Sequence, residues 1–290
     1  MPRKNDLHEV VIGALKLHGS YRLPALRLGT PKKRLVVASG NAFATGKIVF
    51  ADEHAVFADE GQYQRALQKI PGIDGAVVIS ASGQKDASGI VSYLKERVET
   101  YLLTCNGDSA AAQLLPKDHV VVTPRNPEPI TYNTSTYLGM ILAKTGEEVM
   151  PILDHIEGEV KPRIPPDLTK YNAFYLIVEP EFDLAREMFV TKFDELFGPL
   201  LTGRCYTWRQ TLHAKTVVQS ERELFISFGY DNQLFGYEDA RLHIPLPQGA
   251  GYAAMIAVGY YVIGHIQSQF SPWFKWNADR FEAWQKKVLP

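Results

Sequence analysis

The segment Ser80-Ala81-Ser82-Gly83-Gln84-Lys85-Asp86 places two serines, a glycine and a lysine directly after an apolar run and directly before a helical stretch. The first turn of a helix carries N–H groups with no intrahelical partner, and the helix dipole favours negative charge there. Serine hydroxyls and such amides together form a site for an anion. Gly83 allows a close approach of the backbone, and Lys85 adds a full positive charge suited to a phosphate. The same residues equally suit a serine-rich capping loop with no ligand, and the sequence leaves both readings open. A second turn, Ser39-Gly40-Asn41-Ala42-Phe43-Ala44-Thr45-Gly46, follows another apolar run. Its glycines miss the G-x-G-x-x-G spacing of a dinucleotide fingerprint. With no Walker loop, H-E-x-x-H pair or G-x-S-x-G elbow, nucleotide hydrolysis, zincin chemistry and ordinary serine hydrolysis are not expected.

These turns need a scaffold, and the chain supplies a regular grammar of short apolar run, small-residue turn and helical stretch. Residues 34–38 (RLVVA), 76–80 (AVVIS), 100–104 (TYLLT) and 119–123 (HVVVT) read as strands. Near-continuous apolar strands alternating with helices predict a parallel sheet covered on both faces, because half-exposed antiparallel strands would alternate apolar and polar residues. Such sheets hold ligands outside the carboxyl ends of their strands. The pattern restarts later, with strands at 173–178 (AFYLIV), 224–228 (LFISF) and 241–246 (RLHIPL), and helices at 181–197 and 251–266. The expected organisation is an arm or helix over 1–33, a first α/β domain over 34–153, a proline-rich linker over 154–172 and a second α/β domain over 173–290.

Composition narrows the class of function. With 31 basic against 32 acidic residues the formal charge is -1, so no global field favours nucleic acid or an anionic membrane, and any anion site is local. Asp6, His8 and Glu9 interrupt the place of a signal-peptide apolar run, and the apolar stretch 251–266 is too short to span a membrane. Only Cys105 and Cys205 are present, without a CxxC or a paired histidine cluster, so neither a disulfide framework nor a metal site is expected. A reducing cytoplasm suits both thiols. The aromatic segment 268–276, with Phe270, Trp273, Phe274 and Trp276, reads as a tail docked on the protein's own core rather than a nucleic-acid platform.

Taken in order, Ser39-Gly40-Asn41, Ser80-Ala81-Ser82-Gly83-Gln84-Lys85, Thr104-Cys105-Asn106, and Pro127-Glu128 followed by Thr134-Ser135-Thr136 resemble the sugar isomerase (SIS) domain. The resemblance covers residues 34–145. It implies that Ser80, Ser82, Gly83, Gln84 and Lys85 grip the phosphate of a sugar phosphate, with Ser39, Asn41, Thr45, Glu128 and Thr134 around the sugar. Glu128 has a second reading as the cap of the next helix. Two positions depart from the family: Ala44 stands where many relatives carry a hydroxyl, and Lys85 where they carry threonine. The second half resembles a degenerate second SIS module of the two-module phosphosugar isomerases. The implied fold is α/β, two SIS-type sandwiches, each with a mainly parallel sheet flanked by helices, in a homodimer whose site is shared between subunits.

In those isomerases a helix carries Lys-x-x-Glu and a histidine follows. Here Lys192 and Glu195 occupy a helix, and His213 lies in Arg209-Gln210-Thr211-Leu212-His213-Ala214, with Gln210 in place of an acid and Ala214 in place of a glycine. The resemblance implies aldose–ketose isomerisation without metal or other cofactor. Glu195 would move a proton between C1 and C2 through a cis-enediol, His213 would open the sugar ring, and Lys192, one turn from Glu195, would stabilise the enediolate. The same residues also fit a solvated helix pair and a partly buried, hydrogen-bonded histidine. A non-catalytic sugar-phosphate sensor is the alternative, which Ala44, Gln210 and Ala214 keep open. An amidotransferring synthase is not expected, because residue 2 is proline where a catalytic cysteine would stand.

Overall fold

The computed structural model describes residues 5–84 and 86–288. In chain order the elements are α1 (Leu7–Ser20), β1 (Arg34–Val37), α2 (Asn41–Val49), β2 (Ala55–Ala58), α3 (Tyr63–Lys69), β3 (Gly75–Ile79), α4 (Asp86–Lys95), β4 (Glu99–Thr104), β5 (Val120–Val122) and α5 (Thr134–Thr145). There follow α6 (Val149–His155), β6 (Ala173–Val178), α7 (Arg186–Phe197), β7 (Thr202–Thr207), α8 (Trp208–Thr211), β8 (Glu223–Phe228), β9 (Arg241–Ile244), α9 (Tyr252–Gln269) and α10 (Trp273–Val288). Among the described residues no helix is long and apolar enough to cross a membrane.

The chain divides into two compact units. The first comprises Leu17–Asn126 and Ser135–Gly146. Its sheet has the order β2-β1-β3-β4-β5 with every pair parallel. All residues of β1 and β3 are buried, as a sheet covered on both faces requires. Leu35, Val37, Ala76, Val78 and Leu102 on one face pack with Ile90, Val91 and Leu94 of α4. Chain order reverses between β1 and β3, so the switch point of this sheet lies at their carboxyl ends.

The second unit comprises Met1–Lys16, Pro127–Thr134 and Glu147–Pro290. Its sheet, β7-β6-β8-β9, is again wholly parallel. On one face Tyr175, Ile177 and Phe225 pack with Phe235 from the segment between β8 and β9 in a hydrophobic cluster. The units therefore follow different lines from boundaries at 33/34 and 153/173. Within 154–172, Ile156, Val160 and Leu168 are buried and the chain winds through a wide turn over Ile156–Val160, because its spaced apolar residues have a core to join. The segment 127–134 is likewise part of the second unit, drawn in by Tyr132, which is fully buried and hydrogen-bonds Gln267 of α9. Phe274 lies against Tyr132 with ring centroids 5.1 Å apart, so the aromatic tail docks on its own unit.

Two strands, β2 and β7, were not anticipated. Each is an edge strand; β7 (TGRCYT) has residues open to solvent and carries no apolar run, whereas β2 (AVFA) is apolar but only four residues long, a run whose periodicity does not separate strand from helix.

Candidate functional site

The candidate phosphate-binding residues of the first unit gather at the switch point of its sheet. After β1, Gly40 takes φ 53°, a left-handed conformation that turns the chain into α2. Asn41, the first residue of α2, is buried, and its Oδ1 has no partner among the described residues. The Thr45 hydroxyl donates to the Asn41 carbonyl at 2.7 Å and is itself fully buried, so it braces the turn rather than facing a ligand. The Ser39 hydroxyl donates to the exposed Glu60 carboxylate, which an incoming anion would have to displace.

After β3 the loop 80–84 is anchored through its carbonyls. Cys105 N–H donates to the Ala81 carbonyl at 3.1 Å and the Thr104 hydroxyl donates to it at 3.2 Å. Asn106 Nδ2 donates to the Ser82 carbonyl at 3.2 Å, and Ala111 N–H to the Gly83 carbonyl at 3.1 Å. The Thr104-Cys105-Asn106 step is thus the scaffold of the loop. Gly83 has φ +61°, and a Cβ there would stand 2.1 Å from Ser109 Oγ, so only glycine fits. Ser80 Oγ accepts from Gly83 N–H at 3.1 Å and Ser82 Oγ from Gln84 N–H at 3.3 Å. The expectation of unpaired amides is corrected at these two positions, because the serines cap them. What these residues offer an anion is the two hydroxyl hydrogens, which the capping leaves available as donors. Asp86 places a carboxylate in the first turn of α4. Lys85 lies outside the described residues.

The remaining candidates belong to the second unit. Lys192 on α7 is 0% exposed. Its ammonium donates to Glu195 Oε2 at 2.6 Å and to the carbonyls of Thr131 and Tyr132 at 3.2 and 3.1 Å, which uses all three of its donors. Tyr132 and Tyr260 flank it, with ring centroids 5.7 and 5.3 Å from Nζ. A solvated helix pair is thereby excluded, and no donor is left for an enediolate. Burial raises the Glu195 carboxyl above its ordinary range, and the Lys192 charge and hydrogen bond hold that rise back. The acceptor carbonyls come from a strained turn in which Thr131 and Asn133 have φ of 70° and 45°.

Glu128 caps rather than reaches outward, since its carboxylate accepts from Thr134 N–H at 2.5 Å. The Thr134 hydroxyl is buried and donates to the Tyr132 carbonyl at 3.5 Å. These two residues share the 127–134 segment that Lys192 clamps. His213 does not join them. Helix α7 runs antiparallel to β7, with Arg186 at its start donating to the Cys205 carbonyl at 3.4 Å and Phe193 near its end against Gly203. Glu195 therefore sits where β7 begins, and His213 follows α8 beyond the strand's end, exposed to solvent. Six strand residues of about 3.3 Å each put ~20 Å between the two edges. Gln210, in place of an acid, forms a capping box with Thr207 and donates to Asp183 at 2.9 Å. Ala214 adopts φ 59°, a conformation native to the glycine it replaces.

Neither Glu60 as a competitor for Ser39 nor the Thr131 and Tyr132 carbonyls as partners of Lys192 is legible from residue type and spacing, since both depend on tertiary contact. Asn133 is the one residue whose type hints at the left-handed turn.

The chain matches no protein-family model and no curated protein. Among solved structures it resembles the C-terminal domain of glucosamine-fructose-6-phosphate aminotransferase from Francisella tularensis, with 12% identity and a TM-score of 0.62 over 92% of this chain and 94% of that one. Glucosamine-6-phosphate deaminase from Thermotoga maritima gives 17% and 0.65 over 90% and 94%. Tagatose-6-phosphate ketose/aldose isomerase from Escherichia coli gives 12% and 0.58 over 92% and 89%. At such identities the likeness is one of fold: two parallel sheets flanked by helices, shared with these proteins.

Proposed function

We propose that the chain binds a phosphorylated sugar at the carboxyl ends of β1 and β3. The observation that carries this reading is the loop 80–84, with the hydroxyls of Ser80 and Ser82 beside a switch point and its carbonyls turned onto Thr104, Cys105, Asn106 and Ala111. The neighbours named for glucosamine 6-phosphate and tagatose 6-phosphate support the same ligand class. A thermal-shift series with glucose 6-phosphate and fructose 6-phosphate, against glucose and inorganic phosphate, tests it. A ligand at 100 times its Kd adds about 2.7 kcal/mol of stability, so a phosphosugar raises the melting temperature and glucose does not. A flat response to every sugar phosphate overturns the reading.

The activity we infer is aldose–ketose isomerisation, with Glu195 as the base. Its carboxylate takes a proton from C1 of a ketose to give the cis-enediolate, the O1 hydroxyl proton passes to O2, and the resulting carboxylic acid returns its proton at C2 as C1 becomes the aldehyde carbonyl. The raised carboxyl pKa favours this role, because it brings the group toward the operating pH. Lys192 acts as a positioning residue that fixes the Glu195 rotamer. Within one chain His213 stands at the other edge of the sheet, so ring opening by His213 calls for a second copy, in a homodimer. The spent donors of Lys192 favour a second reading, a sensor that binds without turnover. Conversion of fructose 6-phosphate by wild type and its loss in Glu195→Gln support the isomerase; binding with no turnover supports the sensor.

A further inference from the structure

The loop 80–84 hangs in part on Asn106, the only asparagine of the chain that precedes a glycine. Its Nδ2 donates to the Ser82 carbonyl at 3.2 Å, and Ala111 N–H, further along the same segment, donates to the Gly83 carbonyl at 3.1 Å. The Asn106 Oδ1 accepts from Asp108 N–H at 3.2 Å, an Asx turn that folds the side chain back along its own backbone and turns Cγ toward Gly107 N. Gly107 is exposed, its N–H has no partner among the described residues, and it carries no Cβ to shield the nitrogen. A free backbone nitrogen, a side-chain amide carbon and solvent therefore meet at a residue that anchors the candidate phosphate loop.

We propose that Asn106 is a deamidation site whose conversion releases the loop 80–84 and so turns off anion binding there. The Gly107 nitrogen gives its proton to solvent base and attacks Asn106 Cγ; a C–N bond forms, the side-chain nitrogen leaves as ammonia, and a cyclic imide joins the two residues. Water then opens the imide. Addition at Cγ gives aspartate in the normal chain, and addition at the main-chain carbonyl gives isoaspartate, whose backbone runs through Cβ. Both products unseat the loop. An aspartate is ionised at neutral pH and only accepts hydrogen bonds, so a carboxylate oxygen faces the Ser82 carbonyl with no hydrogen between them. Its negative charge also opposes a phosphate at that loop. An isoaspartate lengthens the path from Thr104 to Ala111 and displaces Ser109, which already fills the space beside Gly83. The consequence for binding rests on the sugar-phosphate reading, whereas the chemistry at Asn106-Gly107 and the release of the loop do not.

The test ages the full chain over days in mildly alkaline buffer, follows the peptide that carries residue 106 by mass spectrometry, and reads amide hydrogen exchange at Gly83 and Gln84. Wild type is expected to gain the mass difference between amide and acid at residue 106. Gly107→Ala is expected to gain it several-fold more slowly, because its methyl shields the nitrogen; the new Cβ stands 3.2 Å from Val122 Cγ2, a contact that a small shift relieves. Aged wild type and fresh Asn106→Asp are both expected to exchange the Gly83 and Gln84 amides faster than fresh wild type. Both are expected to bind fructose 6-phosphate at least about tenfold more weakly, a lost anchor and an added charge acting together. Exchange needs no ligand, so if fresh wild type binds no sugar phosphate the proposed function falls while the release of the loop is still decided. No mass gain at residue 106, an equal rate in Gly107→Ala, or unchanged exchange in the aged protein overturns the proposal. So does an undiminished affinity of the aged protein where fresh wild type binds.

Discussion

Replacement of Lys192 by methionine tests the buried pair on which the second unit's candidate chemistry depends. The side chain keeps its length and loses three hydrogen bonds, to Glu195 Oε2 and to the carbonyls of Thr131 and Tyr132. Removing one member of a buried ion pair costs about 3–5 kcal/mol, because the other charge stays buried alone. For a folding unit of this size each kcal/mol moves Tm by about 2–4 °C, so a fall of about 6–20 °C is expected. The loss is conditional on pH. Burial already raises the Glu195 carboxyl, and without Lys192 it rises further, so at pH 5 the group protonates more readily and needs no counter-charge. Urea unfolding at pH 7 and pH 5 is therefore expected to show a smaller cost at the lower pH. The double variant Lys192→Met/Glu195→Gln is expected to recover about 0.5–3 kcal/mol relative to additivity. A loss below about 1 kcal/mol, equal costs at both pH values, or strict additivity would refute the buried-pair account.

Three further outcomes follow from other parts of the molecule. Gly83→Ala is expected to cost about 2 kcal/mol or more and to abolish sugar-phosphate binding, since φ is +61° and the new Cβ meets Ser109 Oγ; Gly83→Ala/Ser109→Gly should recover part of the stability in the same melts. Glu147→Ala is expected to cost about 1–2 kcal/mol by chemical denaturation, because this carboxylate accepts from Gly251, Ala253 and Ala254 N–H at 2.8, 2.8 and 3.0 Å at the start of α9. Burial, with His8 and Lys161 nearby, lowers His265 to about 4. The unfolded chain then takes up the proton first, so this contribution is intact above about pH 6.5 and is lost as pH falls toward 4. His265→Phe should flatten that acid limb in a series of melts.

How legible each element was depends on where its information resides. The five inner strands, β1, β3, β4, β6 and β8, announce themselves because burial on both faces demands apolar residues throughout. The edge strand β7 carries no such demand, and β2 is a four-residue apolar run (AVFA) that periodicity alone does not assign, although the edge strands β5 and β9 were legible. Ser80, Ser82 and Gly83 were legible from a local pattern, strand then small-residue turn then helix. Their mutual capping was not, since whether a serine oxygen faces its own backbone or a ligand depends on the rotamer. The pairing of Lys192 with Glu195 follows from helical spacing, whereas its burial depends on residues about sixty positions earlier, at Thr131 and Tyr132. The separation of His213 from Glu195 is a matter of topology: a helix returning along its sheet puts its end at the opposite edge from the loop after the next strand.

Isothermal titration of fructose 6-phosphate into wild type and into Ser80→Ala/Ser82→Ala bears most directly on the phosphate site. Both serines lie in the loop after β3, and among the described residues their hydroxyls cap Gly83 and Gln84 N–H, so the double variant is expected to stay folded. The account predicts saturable binding to wild type and a loss of at least about tenfold in the variant, two charge-assisted hydrogen bonds to phosphate having gone. Equal affinities in the two proteins, or no heat from wild type at millimolar ligand, would contradict it.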